Sequence, residues 1–253
     1  MFSFNGQTAI VTGASSGIGR ATARAFLRHG AHVVAVGRDR EALAAIVADR
    51  PTRVCHVGAD VTASDAPAQI VDATLAAFGR LDVLVNAAGV IATGAIESTD
   101  DEVWDRMMGI NVRAPFRLMR AAFPHLERTN GNVVNVSSVN GLRSFPGVTA
   151  YCTSKAALDH LTRCAALDWA SRGVRVNAVN PGVTVTNLHR RGGMAEDAYA
   201  AFLERANATH PLGRPGDPDE IASLILYLAS SEASWMTGET IPIDGGRHLT
   251  CAR

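Results

Sequence analysis

The 253-residue chain carries 24 basic and 24 acidic residues, so its formal net charge is zero. This balance, without any run of basic residues, gives no electrostatic reason to expect binding to nucleic acid or to an anionic membrane. Hydrophobic residues make up 47% of the chain, enough for a sizeable core. Neither a signal-peptide pattern nor an apolar run long enough to span a bilayer is present. We therefore expect a cytoplasmic protein with four free cysteines.

Short apolar runs alternate with longer stretches of helical pattern. The runs are mostly β-branched and continuous, which predicts strands covered on both faces, at 8–11, 32–36, 53–57, 81–85, 132–136, 174–179 and 239–243. Helical patterns occupy 21–29, 40–48, 66–78, 101–128, 150–171 and 218–230. This alternation predicts a doubly wound α/β fold, with a Rossmann-like parallel sheet and helices on both faces. No linker divides the chain, so we expect a single domain over 1–253.

A glycine-rich turn follows the first predicted strand, where ligands of such sheets bind. Its glycines have the spacing Gly-x-x-x-Gly-x-Gly, which lets the backbone approach a diphosphate while the next helix offers free N–H groups. An ordinary strand-to-helix turn is the alternative interpretation. The position between a strand and an amphipathic helix favours nucleotide binding, with candidate contacts at Gly13, Ser15, Ser16, Gly17, Ile18 and Gly19.

The residues after the second strand bear on the choice of cofactor. NAD sites place a carboxylate here to bind the ribose 2′-hydroxyl, but the chain has Gly37 at this position. Arg38 follows, and its planar guanidinium suits a 2′-phosphate, with Ser15 and Ser16 as further donors. The sequence therefore favours NADP(H). NAD(H) stays open as an alternative, in which Arg38 points into water and Asp39 takes the ribose.

Small or polar residues follow the third and fourth strands. Asp60, before Val61, supplies a carboxylate that either accepts a hydrogen bond from an adenine amino group or caps a helix beginning near Thr62. The small residues of 86–89 either let a ribose pass close to the backbone or form a plain tight turn.

A tyrosine and a lysine lie four residues apart in the 150–171 stretch. Tyr151 and Lys155 share one helical face, and the ammonium is expected to lower the pKa of the phenol. The pair is then a tuned proton donor and acceptor, and Ser138, at the end of a strand, can aim its hydroxyl at the same space. A Tyr-x-x-x-Lys alone is weak, since many surface helices contain one. Asn111, inside the 101–128 stretch, is either a satisfied structural amide or the holder of a water that links Lys155 to solvent.

Taken together, these motifs resemble the short-chain dehydrogenase/reductase family, in its compact single-domain branch. The resemblance rests on 12–19, Asp60, 86–89, Asn111, Ser138, Tyr151-x-x-x-Lys155 and Pro181-Gly182, in family order and at family spacing. The tail, with 211–215 and 244–246, is similar to that of bacterial 3-oxoacyl-carrier-protein reductases and their relatives. The chain departs at Ala87, where asparagine is commoner, and at Thr184, where the family often has isoleucine or valine.

The resemblance implies roles for individual residues. Tyr151 would be the general acid in reduction and the general base in oxidation, and Lys155 would depress its pKa and bind the nicotinamide ribose. Ser138 would bind the substrate carbonyl, and Asn111 would keep a proton relay to Lys155. Thr186 matches the position that contacts the nicotinamide carboxamide. The implied cofactor contacts beyond the glycine-rich turn are Arg38, Asp60, Val61, Asn86, Ala87, Gly89, Tyr151, Lys155, Pro181, Gly182, Thr184 and Thr186.

The implied function is hydride transfer between NADP(H) and a ketone or secondary alcohol, including a 3-oxoacyl thioester. The alternatives are an NAD-dependent dehydrogenase of sugar, steroid or hydroxy-acid alcohols and a non-catalytic cofactor-binding scaffold. The family also implies a homotetramer whose dimer face uses the stretches 101–128 and 150–171. No metal site is expected.

The substrate is the least determined part of the prediction. The segment 187–210 is expected to form a lid, with glycines at its entry and a helix that faces the substrate or packs on the body. A basic cluster at 189–191 either steers an anionic substrate or lies in solvent. In the other wall, a cation just past Ser138 is placed to bind a carboxylate or phosphate. The candidate substrate contacts are Asn140, Arg143, His189 and Tyr199.

Overall fold

The apolar runs form seven strands in the computed structural model, which describes residues 3–250. The strands are β1 Thr8–Thr12, β2 His32–Gly37, β3 Val54–Gly58, β4 Val83–Asn86, β5 Asn132–Val136, β6 Arg175–Pro181 and β7 Thr240–Ile243. All pairs are parallel, and the order across the sheet is β3-β2-β1-β4-β5-β6-β7. The predicted doubly wound fold is confirmed.

Helices cover both faces of this sheet. They are α1 Gly17–Arg28, α2 Arg40–Asp49, α3 Ala66–Phe78, α4 Asp101–Met108, α5 Ala114–Thr129, α6 Val139–Leu142, α7 Thr149–Trp169, α8 Leu188–Arg191, α9 Glu196–Thr209 and α10 Pro218–Ala229. One apolar core joins the sheet to α1, α2 and α10 through side chains such as Phe26 and Ile225. The other joins it to α3, α5 and α7 through side chains such as Ile70 and Leu126. Burial on both faces explains why the strands read as continuous apolar runs.

The stretch predicted as one helix over 101–128 is interrupted. A π-helical segment, Gly109–Arg113, separates α4 from α5. Pro115 has no N–H for the carbonyl of Asn111, so the regular hydrogen-bond ladder cannot continue through this point. The wider turn places Asn111 in the interior, with 1% of its surface exposed. Such π-bulges are rare and occur often at functional sites.

The described part of the chain contains three free cysteines, Cys55, Cys152 and Cys164. Cys251, the fourth cysteine of the sequence, lies outside the described residues. Among residues 3–250, no helix combines the length and the apolar character needed to cross a membrane.

Candidate active site

The turns that follow β1 and β4 meet where the strand order reverses. The hydroxyl of Thr12 accepts hydrogen bonds from the backbone N–H groups of Ala87 and Ala88, both at 3.0 Å. Gly13 has φ +67°, and a Cβ added there would lie 2.8 Å from the Ala87 carbonyl oxygen. The two turns are therefore in backbone contact at the point where doubly wound sheets bind dinucleotides.

The N-terminus of α1 is open in the way that a diphosphate requires. Ser16 is the N-cap residue, but its side chain makes no capping hydrogen bond. Gly17 has φ +52°, and a Cβ there would lie 3.1 Å from the Thr186 side chain. A Cβ on Gly19 would lie 2.4 Å from the Gly13 carbonyl oxygen, so side chains would fill this cradle. The uncapped N–H groups and close-packed glycines fit the diphosphate of a nicotinamide cofactor.

The end of β2 carries the residues expected to read the cofactor ribose. Arg38 is exposed, whereas Asp39 is the N-cap of α2 and accepts a hydrogen bond from the Ala42 backbone at 3.0 Å. The Ser15 hydroxyl would lie 3.3 Å from a Cβ on Gly37. Arg40, which the sequence analysis missed, lies across the end of β3, its Nε 2.7 Å from a Cβ added at Gly58.

Asp60 has a local structural role. Its Oδ1 accepts hydrogen bonds from the Thr62 N–H at 2.9 Å and the Thr62 hydroxyl at 2.7 Å. These bonds, with the charge of Arg38, lower the pKa of Asp60. Because α3 begins at Ala66, the predicted cap of a helix near Thr62 is wrong, and Asp60 instead closes a turn.

Asn86 and Gly89 organise the backbone after β4. Asn86 is buried and donates to the Asn135 side chain at 2.9 Å, and Asn135 in turn donates to the Thr162 hydroxyl on α7. A Cβ at Gly89 would lie 3.4 Å from Asn111 Oδ1 and 3.6 Å from Lys155 Nζ. This turn therefore brings open backbone next to the lysine. Val61 and Ile18 are half-buried packing residues beside the two cores.

Ser138, Tyr151 and Lys155 are all buried, with 7%, 6% and 4% of their surfaces exposed. Tyr151 and Lys155 lie one turn apart near the start of α7, and Lys155 Nζ is 5.8 Å from the centre of the Tyr151 ring. Lys155 donates a 2.8 Å hydrogen bond to the Val136 carbonyl at the end of β5. It is the only lysine in the chain, a signal in the sequence that pattern analysis overlooked.

The pKa of Tyr151 is raised, whereas the sequence analysis expected Lys155 to lower it. Burial raises it to about 12, although a hydrogen bond with Ser138 acts in the opposite direction. Burial also lowers the pKa of Lys155 to about 8. Desolvation disfavours both charged forms, and it outweighs the attraction of ammonium and phenolate in this arrangement. Tyr151 is therefore a phenol at neutral pH, the form that donates a proton.

Asn111 lies beside the lysine as a satisfied amide. Its Oδ1 accepts from the Val90 N–H, and its Nδ2 donates to the Val90 carbonyl and the Ser154 hydroxyl, all at 3.0 Å. It thereby ties the turn after β4 to α7. These contacts match the alternative in which Asn111 is a satisfied structural amide. Its role in a proton relay to Lys155 stays a prediction.

The residues after β6 also contact the glycine-rich turn. Pro181 ends β6, and a Cβ at Gly182 would lie 2.9 Å from both Asp244 and His210. The Thr184 hydroxyl donates to the Gly182 carbonyl at 3.2 Å and is buried, so its contacts are internal. Thr186, next to Gly17, accepts from the Leu188 N–H.

Two of the four predicted substrate contacts have other partners. Arg143 donates to the backbone carbonyls of His248, at 2.8 Å, and Thr250, so its guanidinium holds the C-terminal segment rather than a ligand. Tyr199 is 1% exposed and donates to the Thr186 carbonyl at 2.9 Å, so it anchors α9 instead of facing a substrate. The apolar side of α9 packs on the body, as the alternative interpretation had it.

The other two predicted contacts differ in their surroundings. Asn140 bonds the Ser138 hydroxyl through both its N–H and its Oδ1, at 3.2 Å each, which places it beside the predicted catalytic serine. His189 packs on the Phe202 ring at 4.4 Å, and burial lowers its pKa. Its Nδ1 is buried without a partner among the described residues.

The segment 187–210 contacts both sides of the crevice. Arg191 donates a 2.8 Å hydrogen bond to the Ser16 hydroxyl at the glycine-rich turn, a contact that the sequence analysis missed. A Cβ at Gly192 would lie 2.8 Å from the Ile91 carbonyl oxygen, beyond β4. Within residues 3–250, no group of three or more His, Cys, Asp or Glu side chains is arranged to hold a metal ion.

Comparisons with known proteins agree with this fold. A family model described as "Enoyl-(Acyl carrier protein) reductase" matches residues 13–248. A 3-oxoacyl-[acyl-carrier-protein] reductase of Thermotoga maritima is 38% identical over 95% of this chain and 97% of its own. The meso-2,3-butanediol dehydrogenase of Serratia marcescens is 36% identical over 96% and 95%. A crystal structure of a Caenorhabditis elegans short-chain dehydrogenase/reductase of unknown function, with cofactor, superposes with a TM-score of 0.91 at 36% identity and covers 98% and 97% of the two chains.

The fold, the glycine-rich turn and these matches define a nicotinamide-dependent oxidoreductase. The chain belongs to the short-chain dehydrogenase/reductase family.

Proposed function

We propose that this protein transfers a hydride between NADP(H) and a ketone or secondary alcohol, by the action of Ser138, Tyr151 and Lys155. The observation that carries the proposal is the convergence of these three buried side chains at the carboxyl end of β5, beside the turn that fits a cofactor. A 3-oxoacyl thioester is the favoured substrate class, supported by the similarity to a 3-oxoacyl reductase.

Each residue has a distinct task in reduction. Bound NADPH supplies the hydride. The Ser138 hydroxyl binds the substrate carbonyl oxygen and orients the carbon for attack. Tyr151, a phenol at neutral pH because burial raises its pKa, donates its proton to the developing alkoxide. The charge of Lys155 stabilises the phenolate that results, and in alcohol oxidation the same groups act in reverse.

The decisive variant is Tyr151→Phe, which keeps the ring and removes the proton. Turnover of ketones with NADPH should fall by about 10²- to 10⁴-fold, while NADPH fluorescence titrations should give a nearly unchanged Kd. Tyr227→Phe, the same change away from the crevice, is the control. Normal turnover in Tyr151→Phe would refute the mechanism. A wild-type protein that binds cofactor but reduces no ketone would favour the scaffold alternative.

The preference for NADP(H) is supported by the end of β2. Asp39 is engaged as the α2 N-cap, whereas Arg38 is exposed and is preceded by Gly37, which lies close to Ser15, and not by a carboxylate. Arg40, across Gly58, adds a second guanidinium on this side. A 2′-phosphate would therefore meet positive charge. We expect NADPH to bind at least about tenfold more tightly than NADH, a difference of about 1.4 kcal/mol.

One observation favours the NAD-dependent alternative. The charge of Arg38 acts on Asp60, and a guanidinium shared with a carboxylate attracts a phosphate less. Titration of wild type and Arg38→Ala with both cofactors distinguishes the two. The proposal expects the variant to lose NADPH affinity selectively. Equal effects on both cofactors, or tighter NADH binding by the wild type, would contradict it and direct the search to secondary alcohols such as butanediols, sugars and hydroxy acids.

We further propose that the segment 187–210 is a lid over the crevice, in a single domain spanning 1–253. Support comes from the Arg191–Ser16 hydrogen bond and from the approach of Gly192 to Ile91, which span the crevice from opposite sides. Asn140 and His189 remain the candidate substrate contacts. The small-molecule substrate would enter between this lid and the loop after Ser138.

A homotetramer is the proposed assembly, in the cytoplasm where NADP(H) circulates. A surface groove of about 570 Å³ lies between α4, α5 and α7, lined by Met108, Val112, Arg113, Phe116, Arg117, Arg120 and Leu161. Three arginines line this groove and α4 begins with acidic residues, so antiparallel pairing of two copies would bring opposite charges toward each other. Light scattering should give four times the 26.6 kDa chain mass, and Phe116→Glu should reduce it.

A further inference from the structure

The segment that carries Ser138 lies directly on α7. The Ser137 hydroxyl donates to the Lys155 carbonyl at 3.2 Å. Gly141, on α6, comes so close that an added Cβ would lie 3.0 Å from the Lys155 carbonyl oxygen and 2.3 Å from Asp159 Oδ2. Ser138 is thus positioned against the helix that bears Tyr151 and Lys155. The atom that a Cβ at Gly141 would approach most closely belongs to Asp159.

Asp159 is a buried carboxylate with no role in the proposed mechanism so far. It lies one helical turn beyond Lys155 and is 1% exposed. Its Oδ2 accepts a 2.9 Å hydrogen bond from Asn180 Nδ2, at the end of β6. The same Nδ2 donates to the Ser138 carbonyl at 2.9 Å. Asp159 therefore orients the amide that fixes the backbone of the catalytic serine.

A buried carboxylate at this position would destabilise the fold if its only role were packing. Its Oδ1 has no hydrogen-bond partner among the described residues, and a buried polar atom without a partner destabilises a fold. The neighbouring positions Leu158 and Thr162 show that this part of α7 accommodates apolar and hydroxyl side chains. The presence of a carboxylate here calls for a contribution that such side chains cannot make.

That contribution is the stabilisation of the positive charge on Lys155. Lys155 donates to an uncharged carbonyl, and no carboxylate lies within ion-pair distance of it among the described salt bridges. Asp159 is the group that raises the pKa of Lys155 against the effect of burial. Burial raises the pKa of Asp159, and hydrogen bonds from Ser137 and Asn180, then Lys155 and Arg163, act to lower it. Ser137 has one hydroxyl proton, so at any time it donates a hydrogen bond either to Asp159 or to the Lys155 carbonyl oxygen.

The other groups near this pair come from few elements. Titratable or charged side chains are Tyr151, Cys152 and Arg163, all on α7. β5, β6 and α6 present carbonyls, hydroxyls and amides, of which Val136, Ser137 and Asn180 make the contacts. Within residues 3–250, Asp159 is thus the nearby source of negative charge for Lys155.

We propose that Asp159 is a positioning residue of the active site, whose buried carboxylate orients Ser138 through Asn180 and supplies the countercharge of Lys155. This inference rests on the proposed function of Lys155 and Ser138. The first readout of its test, the titration of Lys155, needs no turnover, so the failure of one proposal is distinguishable from the failure of the other.

The experiment uses the fact that Lys155 is the only lysine. Protein labelled with lysine that carries ¹³C at the ε-carbon gives one side-chain signal, whose pH titration reports the pKa of Lys155. Asp159→Asn keeps the size and an acceptor for Asn180 but removes the charge. We expect the Lys155 pKa to fall by about one unit or more, and the alkaline limb of kcat/KM to move to lower pH with it. Asp168→Asn, the same charge change at an exposed site further along α7, should move neither.

Two results obtained with the variant would overturn the proposal. One is an unchanged lysine titration in Asp159→Asn. The other is a loss of kcat that is equal at every pH, which a purely structural role would produce. Asp159→Ser is the second variant if Asp159→Asn does not fold, with the same expected shift. The wild type is decisive as well, since a Lys155 pKa at or above the ordinary 10.5 would leave no burial effect for Asp159 to offset.

Discussion

The proposed catalytic wall and the proposed lid are built in opposite ways. In the wall, formed by β5, α6 and α7, the functional side chains are buried and each has partners from other elements. The lid, formed by α8 and α9, is largely exposed and joins the body through a few side chains, chiefly Arg191 and Tyr199. The difference supports the proposal that a fixed wall performs the chemistry, while a lid with few attachments controls access and selection.

The largest effect on the wall is expected from substitution of Lys155. Lys155→Met should lower turnover by about 10²- to 10⁴-fold, because the phenolate of Tyr151 loses its stabilising charge. The same variant should be more stable at neutral pH. Burial lowers the pKa of Lys155 from 10.5 to about 8, and roughly 2.5 units correspond to on the order of 3 kcal/mol as an upper limit, with the attraction to Asp159 already included.

The sign of the pH effect follows from that lowered pKa. The folded wild type releases the lysine proton near pH 8 and the unfolded chain near 10.5, so the wild type gains stability as pH rises through this window. Denaturant unfolding of wild type and Lys155→Met at pH 7 and pH 9.5 measures the effect. The stability difference should shrink at the higher pH. A variant less stable than wild type at pH 7 would contradict the buried-charge account.

Gly141→Ala tests the contact between the serine segment and α7. The added methyl group would lie 2.3 Å from Asp159 Oδ2, so the segment must shift and carry Ser138 with it. We expect destabilisation of about 1–3 kcal/mol and a fall in kcat with little change in cofactor affinity. Gly109→Ala is the matched control, since nothing lies within 4 Å of its added Cβ. Equal kinetics of the two variants would show that the close approach does not position Ser138.

The smallest effect is expected at the lid. Arg191→Ala removes the hydrogen bond to Ser16 and should raise the Kd for NADP(H) by about two- to tenfold, with little change in thermal stability. Arg205→Ala, on the exposed side of α9, removes the same charge and should leave the Kd unchanged. A lid that contributes to cofactor retention predicts this contrast. Identical Kd values for the two variants would show that Arg191 does not contribute to cofactor binding.

The same contrast explains what the sequence alone could predict. Strand positions, the crevice and the Ser138–Tyr151–Lys155 set follow from apolar runs and short spacings, which are local properties. The break at 109–113 depends on one missing N–H at Pro115, which periodicity does not register. The pKa of Tyr151 depends on burial, and the roles of Arg143 and Tyr199 depend on distant carbonyls, so none of these could be obtained from spacing. Asp159, and the contact of Arg191 with Ser16, were missed because the partners lie on β6 and in the glycine-rich turn.

Hydrogen exchange of the wild-type protein, with and without NADPH, tests the distinction between wall and lid most directly. Amides of α7 around 155–162 should exchange slowly in both states, because the wall is complete without cofactor. Amides of 188–209 should exchange rapidly in the free protein and slow down when NADPH binds. Contradiction would come from a lid protected as strongly as α7 in the free protein, or from an α7 that becomes protected only when NADPH is added.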